Sequence, residues 1–286
     1  MSRKYLIVTA ANEKIEKFLI SHWLTSLREN VALNNTEILV VDYGLSLEAK
    51  DLLRAKEVSI WLARRKDGLI NNLRFLEVRD FLLNSSGNYE QVLICDSGDL
   101  IIQSDISHLF NFCQDKVRAV RERVSPNMDL LIKPGDTTLN LTEVKTILRG
   151  KPLINVGFML FPVHLFIDLV TEMESVTLNL YRWGLETVLL NYILHRKGLL
   201  CELDIGYNFI PVTAGERYWI RDSKFFYRDG KLIPVVHNAG GSKLLRPIIN
   251  FGYGKGYNKP RRLLIFLLRL FYQILSFLRK KVEKVK

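Results

Sequence analysis

Leu93-Ile94-Cys95-Asp96-Ser97-Gly98-Asp99-Leu100-Ile101-Ile102 decides how this chain reads. An apolar, strand-like stretch ends in two carboxylates three positions apart, and a second apolar stretch follows at once. A buried strand that delivers acidic groups at its carboxyl end is a common way for an α/β sheet to present a site. Two such carboxylates can hold a hard divalent cation such as magnesium or manganese, and that cation can neutralise a substrate diphosphate. Asp, Ser and Gly are also turn formers, so the run reads as well as a polar turn between two strands.

Upstream, strand-like and helix-like segments alternate. Residues 5–10, 37–42 (EILVVD), 58–63 and 91–96 read as strands, and residues 13–28, 47–56 and 72–83 as helices. In the first helix Ile15, Phe18, Leu19, Trp23 and Leu27 fall at helical spacing, with Asn12 as the expected N-cap. This rhythm predicts a mostly parallel sheet covered by helices. Downstream, 117–121, 153–161 and 232–237 read as strands and 165–174 and 185–196 as helices. Residues 122–140 carry Pro126, Pro134 and Gly135 and read as loop.

The chain has 286 residues, 48% hydrophobic and 25% charged, so it can bury a substantial core. Its three cysteines, Cys95, Cys113 and Cys201, are far apart and show no CxxC spacing. Neither a disulfide framework nor a structural zinc site is expected from that pattern, and a reducing compartment is the expected setting. Met1-Ser2-Arg3-Lys4 runs directly into the first strand, too short for a secretory signal. The N-x-Ser/Thr triplets at Asn34, Asn84 and Asn140 are read as chance matches.

The net charge of +11 is unevenly spread: residues 255–286 carry ten basic side chains and the single acid Glu283. A nucleic-acid footprint over the whole chain is therefore not supported. Residues 263–278 are rich in Leu, Ile and Phe but broken by Arg269, short of the roughly 20 apolar residues that span a bilayer. Arg262, Arg269, Gln273, Ser276 and Lys280 fall on one stripe of a helix. Residues 259–286 therefore read as an amphipathic helix for an anionic membrane surface, with packing on the protein's own core or a partner subunit as the alternative. The expected organisation is one α/β domain over 1–254 and a basic membrane-associating helix over 255–286, at the inner face of the plasma membrane.

Three further segments join the acidic run: Leu153–Phe161 (LINVGFMLF), Gly184–Asn191 (GLETVLLN) and Val235–Lys243 (VVHNAGGSK). In this order and spacing the chain resembles GT-A fold nucleotide-sugar glycosyltransferases, most of all glycosyltransferase family 8, over roughly residues 4–245. The resemblance implies an α/β fold with a mostly parallel central sheet flanked by helices. It implies transfer of a sugar from a nucleotide-diphosphate donor, expected to be a UDP-sugar, to a hydroxyl of a glycan or glycolipid such as a lipopolysaccharide core, by the family's retaining route. Mn2+ or Mg2+ is the implied cofactor.

The residue roles follow by the same resemblance. D-S-G-D stands where the family has D-x-D, so Asp99 matches the second carboxylate, with Asp105 the later acid. Strict spacing puts Ser97 in the first place, and Asp96 is expected to serve there through a one-residue bulge. Asn155 and Gly157 match N-x-G, whose amide contacts the donor sugar and whose glycine lets backbone approach closely. Glu186 and Thr187 match the start of D-Q-x-x-L-N, with Thr187 in place of a glutamine near the reacting carbon. His237, Gly240 and Lys243 fit H-x-x-G-x-x-K, in which the imidazole is the third metal ligand and the lysine meets the diphosphate. Thr9 and Ala10 match the base and ribose site, and Arg74 a basic residue facing the diphosphate.

Other classes fit less well. Residues 8–13 hold no glycine for the triphosphate loop of a nucleotidyltransferase. The Gly-dense run 252–256 comes too late for a dinucleotide fingerprint. The remaining alternative is a non-catalytic GT-A scaffold or binding protein at the membrane surface.

Overall fold

The computed structural model describes residues 4–85, 89–124, 128, 131–240 and 246–284, without the side chains of 275, 276 and 278–284. Its first half runs β1 (Tyr5–Ala11), α1 (Glu16–Phe18), α2 (Thr25–Asn30), β2 (Thr36–Asp42), α3 (Leu47–Ala55), β3 (Ser59–Leu62), α4 (Ile70–Asn84), β4 (Gln91–Cys95) and β5 (Leu100–Ile102). Then follow β6 (Val117–Arg121), α5 (Leu141–Leu148), β7 (Ile154–Pro162), α6 (Val163–Val176), α7 (Leu185–Lys197) and β8 (Leu200–Leu203). The chain closes with β9 (Tyr218–Arg221), β10 (Lys224–Tyr227), β11 (Val235–His237), β12 (Ile248–Ile249), β13 (Lys259–Pro260) and α8 (Arg262–Lys284).

Seven strands form one sheet in the order β3-β2-β1-β4-β7-β6-β8. β1, β2, β3 and β4 are mutually parallel, β7 runs antiparallel between β4 and β6, and β8 is parallel to β6. Both faces are covered, as alternation along the strands requires. Leu6, Val8, Val92, Ile94, Met159 and Phe161 join the core under α4, α5, α6 and α7, while Ile7, Ala11, Leu93, Cys95, Phe158 and Leu160 join the core containing Trp23, Leu27 and Leu53. Ser46 caps α3 by accepting the Ala49 N–H at 3.1 Å. Asn140 caps α5, which the loop-rich reading before it did not anticipate. At the far end of α7, Gly198 takes the left-handed φ of 64° that closes a helix without Cβ strain.

The expected first helix is one helical run whose middle, Leu19–Leu24, is π-helical, and its N-cap is Ile15, not Asn12. The expected strand at 232–237 is shorter, Val235–His237.

The cysteine reading is corrected. Cys113 and Cys201 are joined as a disulfide, while Cys95 is buried and free. The two partners are 88 residues apart. Cys201 pairs with Arg118 in the β6–β8 ladder, and Cys113 lies in the turn just before β6. Strand pairing brings the thiols together, and spacing along the chain could not reveal it.

No helix among the described residues is long and apolar enough to cross a membrane. α8 docks through Ile265, which is buried in the core, and through Arg269 beside it on the same side. Arg269 donates from Nε and Nη2 to the Pro211 carbonyl at 3.1 and 2.7 Å and from Nη2 to the Glu216 carbonyl at 2.8 Å, with its guanidinium over the Tyr218 ring. Leu263, Phe266, Leu267, Leu270, Phe271, Ile274 and Phe277 are exposed, three or one positions apart. That spacing sets them on one outward face.

Candidate active site

The site forms where β1, β2 and β4 end together, the edge at which parallel α/β sheets present ligand-binding groups. Asp96 directly follows β4, and its N–H donates to the Gly157 carbonyl at 2.9 Å, extending the β4–β7 pairing by one step. The chain then turns through Ser97 and Gly98 so that β5 leaves the main sheet and pairs antiparallel with β11. That register sets His237 opposite Leu100, and the Asn238 N–H donates to the Asp99 carbonyl at 2.7 Å.

Three side chains converge as a result. His237 Nε2 lies 3.4 Å from Asp96 Oδ2 and 3.3 Å from Asp99 Oδ1. The ligand-capable atoms of Asp96, Asp99 and His237 all lie within 4.8 Å of one another. Two carboxylate oxygens and one imidazole nitrogen suit manganese or magnesium. A second observation fits the same group. His237 Nδ1 meets Asn208 Oδ1 at 2.9 Å, so Nδ1 carries the proton and Nε2 is directed at the carboxylates.

That support continues inward. Asn208 Nδ2 donates to Asn155 Oδ1 at 2.8 Å, and Asn155 Nδ2 donates to Glu122 Oε1 at 2.7 Å. Asn155 Oδ1 also accepts the Gly157 N–H at 2.9 Å. Asn155 is thereby a positioning residue behind His237, with one amide hydrogen left over. Burial raises the Glu122 pKa, and its bond from Asn155 works against that rise.

Gly157 has a steric role here that the sequence pattern did not reveal. A Cβ at this position would lie 2.5 Å from His237 Cε1, 2.8 Å from Asp96 Oδ2 and 3.0 Å from Asn155 Oδ1. The space a side chain needs is taken by His237, Asp96 and Asn155.

Guanidinium groups flank the carboxylates. Arg74, on α4, is buried and ion-paired with Asp96 Oδ1. Arg246 Nη2 contacts Asp99 Oδ2 at 3.0 Å. Burial works to raise the Asp96 pKa, but Arg74 and His237 overrule it and hold the carboxyl well below its ordinary range. Burial works to lower the His237 pKa, and Asp99 and Asp96 outweigh it, raising it to about 10. In the absence of a cation His237 is therefore protonated at neutral pH.

Glu186 lies in the first turn of α7, where its N–H donates to Asn72 Oδ1 at 3.1 Å. The carboxyl is buried, accepts from Thr187 Oγ1 at 3.3 Å through Oε1, and has no hydrogen-bond partner for Oε2 among the described residues. Burial raises its pKa, with Arg74 acting in the opposite direction. Asn191 ties α7 to β7 through both Ile154 backbone groups, at 2.7 and 2.8 Å.

The other predicted residues fall as follows. Val8 pairs with Ile94, so Ala10 and Asp96 each lie two positions further along their strands. Thr9 Oγ1 and Ser97 Oγ are buried without partners among the described residues. Asp96 lies with Asp99 and His237 in a cluster of ligand-capable side chains. Asp105 stands apart from it, capping the turn at Ser107 and accepting the Ala32 N–H. Gly240 is exposed, and Lys243 lies outside the described residues. Sequence reasoning missed Glu122, Asn208 and Arg246. Arg246, three residues beyond Lys243, had a signal in the basic composition of its loop, whereas Glu122 and Asn208 sit in no recognisable pattern.

No family model matches the sequence, and no curated protein matches it significantly. Solved structures do match by shape. A bifunctional glycosyltransferase, WbbM, aligns with a TM-score of 0.54 and 16% identity over 86% of this chain, which spans 47% of that protein. An active-site mutant of LgtC aligns at 0.52 and 15% identity, over 84% of this chain and 89% of the other. The galactosyltransferase LgtC, in complex with donor and acceptor sugar analogues, aligns at 0.52 and 14% identity over 95% of each chain. Identities this low speak to fold, and the fold of this chain is that of the GT-A glycosyltransferases.

Proposed function

We propose that this protein is a glycosyltransferase that moves a sugar from a nucleoside-diphosphate donor, with UDP the expected nucleotide, to an acceptor hydroxyl with a divalent cation. The observation that carries this reading is the Asp96–Asp99–His237 cluster at the carboxyl edge of a glycosyltransferase-type sheet. Asp96, Asp99 and the neutral form of His237 would hold the cation. When bound, it supplies positive charge that stabilises the departing nucleoside diphosphate.

The chain's own groups complete the site. Asn208 keeps the His237 proton on Nδ1, and Asn155 and Glu122 hold Asn208 in that orientation. Arg74 keeps Asp96 ionised and fixes its rotamer. Glu186 Oε2, which has no partner among the described residues, is an acceptor for a donor-sugar hydroxyl, and the Thr187 hydroxyl donates to Oε1 of the same carboxyl. The buried hydroxyls of Thr9 and Ser97, without partners among the described residues, are further candidate contacts for a polar ligand. The outward apolar face of α8 and the chain's basic tail support a membrane-surface location and a lipid-linked acceptor.

The test is calorimetric binding of UDP with and without Mn2+, to wild type and to Asp99→Asn. Manganese-dependent binding that the variant loses is the expected result. Binding of no nucleoside diphosphate under either condition would refute the reading.

A further inference from the structure

Each carboxylate of the cluster has its own guanidinium, and the two are held very differently. Arg74 is 7% exposed, stacks over Phe75 at 5.1 Å and reaches toward the Val156 carbonyl as well as Asp96. Arg246 is 32% exposed, and the Asp99 carboxylate is its one polar contact among the described residues. Its Nε is buried with no hydrogen-bond partner there. Arg246 also lines a cavity of about 350 Å3 with Gly98, Asn238, Ile248 and Phe251, immediately beside the acidic turn. Arg74, whose Nε is likewise buried without a partner among the described residues, is enclosed and held at two points, whereas Arg246 is partly exposed with open space beside it.

A divalent cation that takes Asp99 must share it with this guanidinium. Two positive centres on one carboxylate repel strongly when partly shielded from water. A guanidinium released from a carboxylate matches a phosphate equally well, through two parallel N–H donors. We propose that Arg246 is a movable counter-cation: it holds Asp99 when no divalent ion is bound and passes to the donor's diphosphate when the ion takes Asp99. The inference rests on the metal–diphosphate reading of the site. It gives Arg246 opposite effects on the two ligands, since it competes with the cation and assists the nucleotide.

The experiment measures Mn2+ binding without nucleotide, and UDP binding at saturating Mn2+, for wild type, Arg246→Gln and Arg246→Lys, with thermal melts of each. For Arg246→Gln we expect Mn2+ alone to bind about 5- to 10-fold tighter and UDP to bind about tenfold weaker, each within the usual range of coupling between adjacent sites. Arg246→Lys keeps the charge and should hold UDP affinity within about threefold of wild type, short of the bidentate geometry. Unchanged or weaker Mn2+ binding by a normally folded Arg246→Gln variant overturns the proposal and leaves the metal reading standing. If Arg246→Gln does not fold, UDP affinity in Arg246→Lys decides, and a loss there as large as tenfold overturns it. Absence of both Mn2+ and UDP binding in all three proteins overturns the proposal together with the reading beneath it.

Discussion

Replacing Gly157 with alanine adds one methyl group where three site atoms already stand. The new Cβ would sit 2.5 Å from His237 Cε1 and 2.8 Å from Asp96 Oδ2, against the 3.4–4 Å of ordinary van der Waals contact. One of those side chains must move by roughly 1 Å, and neither can do so freely. His237 is fixed at Nδ1 by Asn208, and its backbone N–H donates to the Phe209 carbonyl at 2.9 Å. Asp96 is tied to Arg74. Overpacking of this kind costs about 1–3 kcal/mol. Alanine in a strand otherwise gains about 0.5–1 kcal/mol over glycine, so the net loss in fold stability is small. The damage falls on cation binding, because both routes of relief displace a ligand atom. If about 2 kcal/mol is lost there, affinity falls roughly 30-fold. Calorimetric titration of Mn2+, with circular dichroism and a thermal melt as controls, checks this. A folded Gly157→Ala protein with Mn2+ affinity within twofold of wild type would refute the steric argument.

Three other outcomes follow from the geometry. His237 is protonated in the cation-free protein, with its pKa raised to about 10, so binding Mn2+ must expel that proton. Apparent Mn2+ affinity should rise about tenfold per pH unit between pH 7 and 9, with roughly one proton released per ion, readable by calorimetry in buffers of different ionisation enthalpy. The stability of the cation-free protein should move the other way: the raised pKa contributes fully below the unfolded value near 6.5 and fades as pH rises through about 10; a flat pH profile for both quantities would contradict this assignment. Phe266→Glu with Phe271→Glu, on the exposed face of α8, should abolish flotation with anionic vesicles while leaving soluble-ligand binding unchanged; retained flotation would remove the membrane assignment of that face. Cys201→Ser should lower the melting temperature, since closing an 88-residue separation is worth about 4.6 kcal/mol in the chain-entropy account; an identical melt under oxidising and reducing conditions would show the bond contributes nothing.

Much of the architecture was legible because it depends on near neighbours in the chain. Short continuous apolar runs such as EILVVD and Leu93–Cys95, and helical spacing in the segments between, predicted the parallel half of the sheet within a residue or two. The order of the acidic, N-x-G, E-T and H-x-x-G segments predicted the fold that the solved structures match. What escaped were short elements with little periodic signal, such as α5, β8 and the β9–β10 hairpin, and the π-helical turn inside the first helical run.

The sequence by itself determined the longer strands and helices and which carboxylates end a buried strand, because both follow from local hydrophobic patterning and backbone preference. Only the tertiary structure decided how the groups meet. Pairing of β5 with β11 brings His237 to Asp99, and the β6–β8 ladder brings Cys201 to Cys113. The same packing sets Asp96 beside Asp99 and His237, places Asn208 and Glu122 behind the imidazole and sets Arg246 against Asp99. It also turns the exposed apolar face of α8 outward, with Ile265 buried in the core and Arg269 bonded to carbonyls distant in the chain. These are contacts between segments far apart along the chain, where no spacing rule operates, and distances of a few ångströms decide which side chains act together.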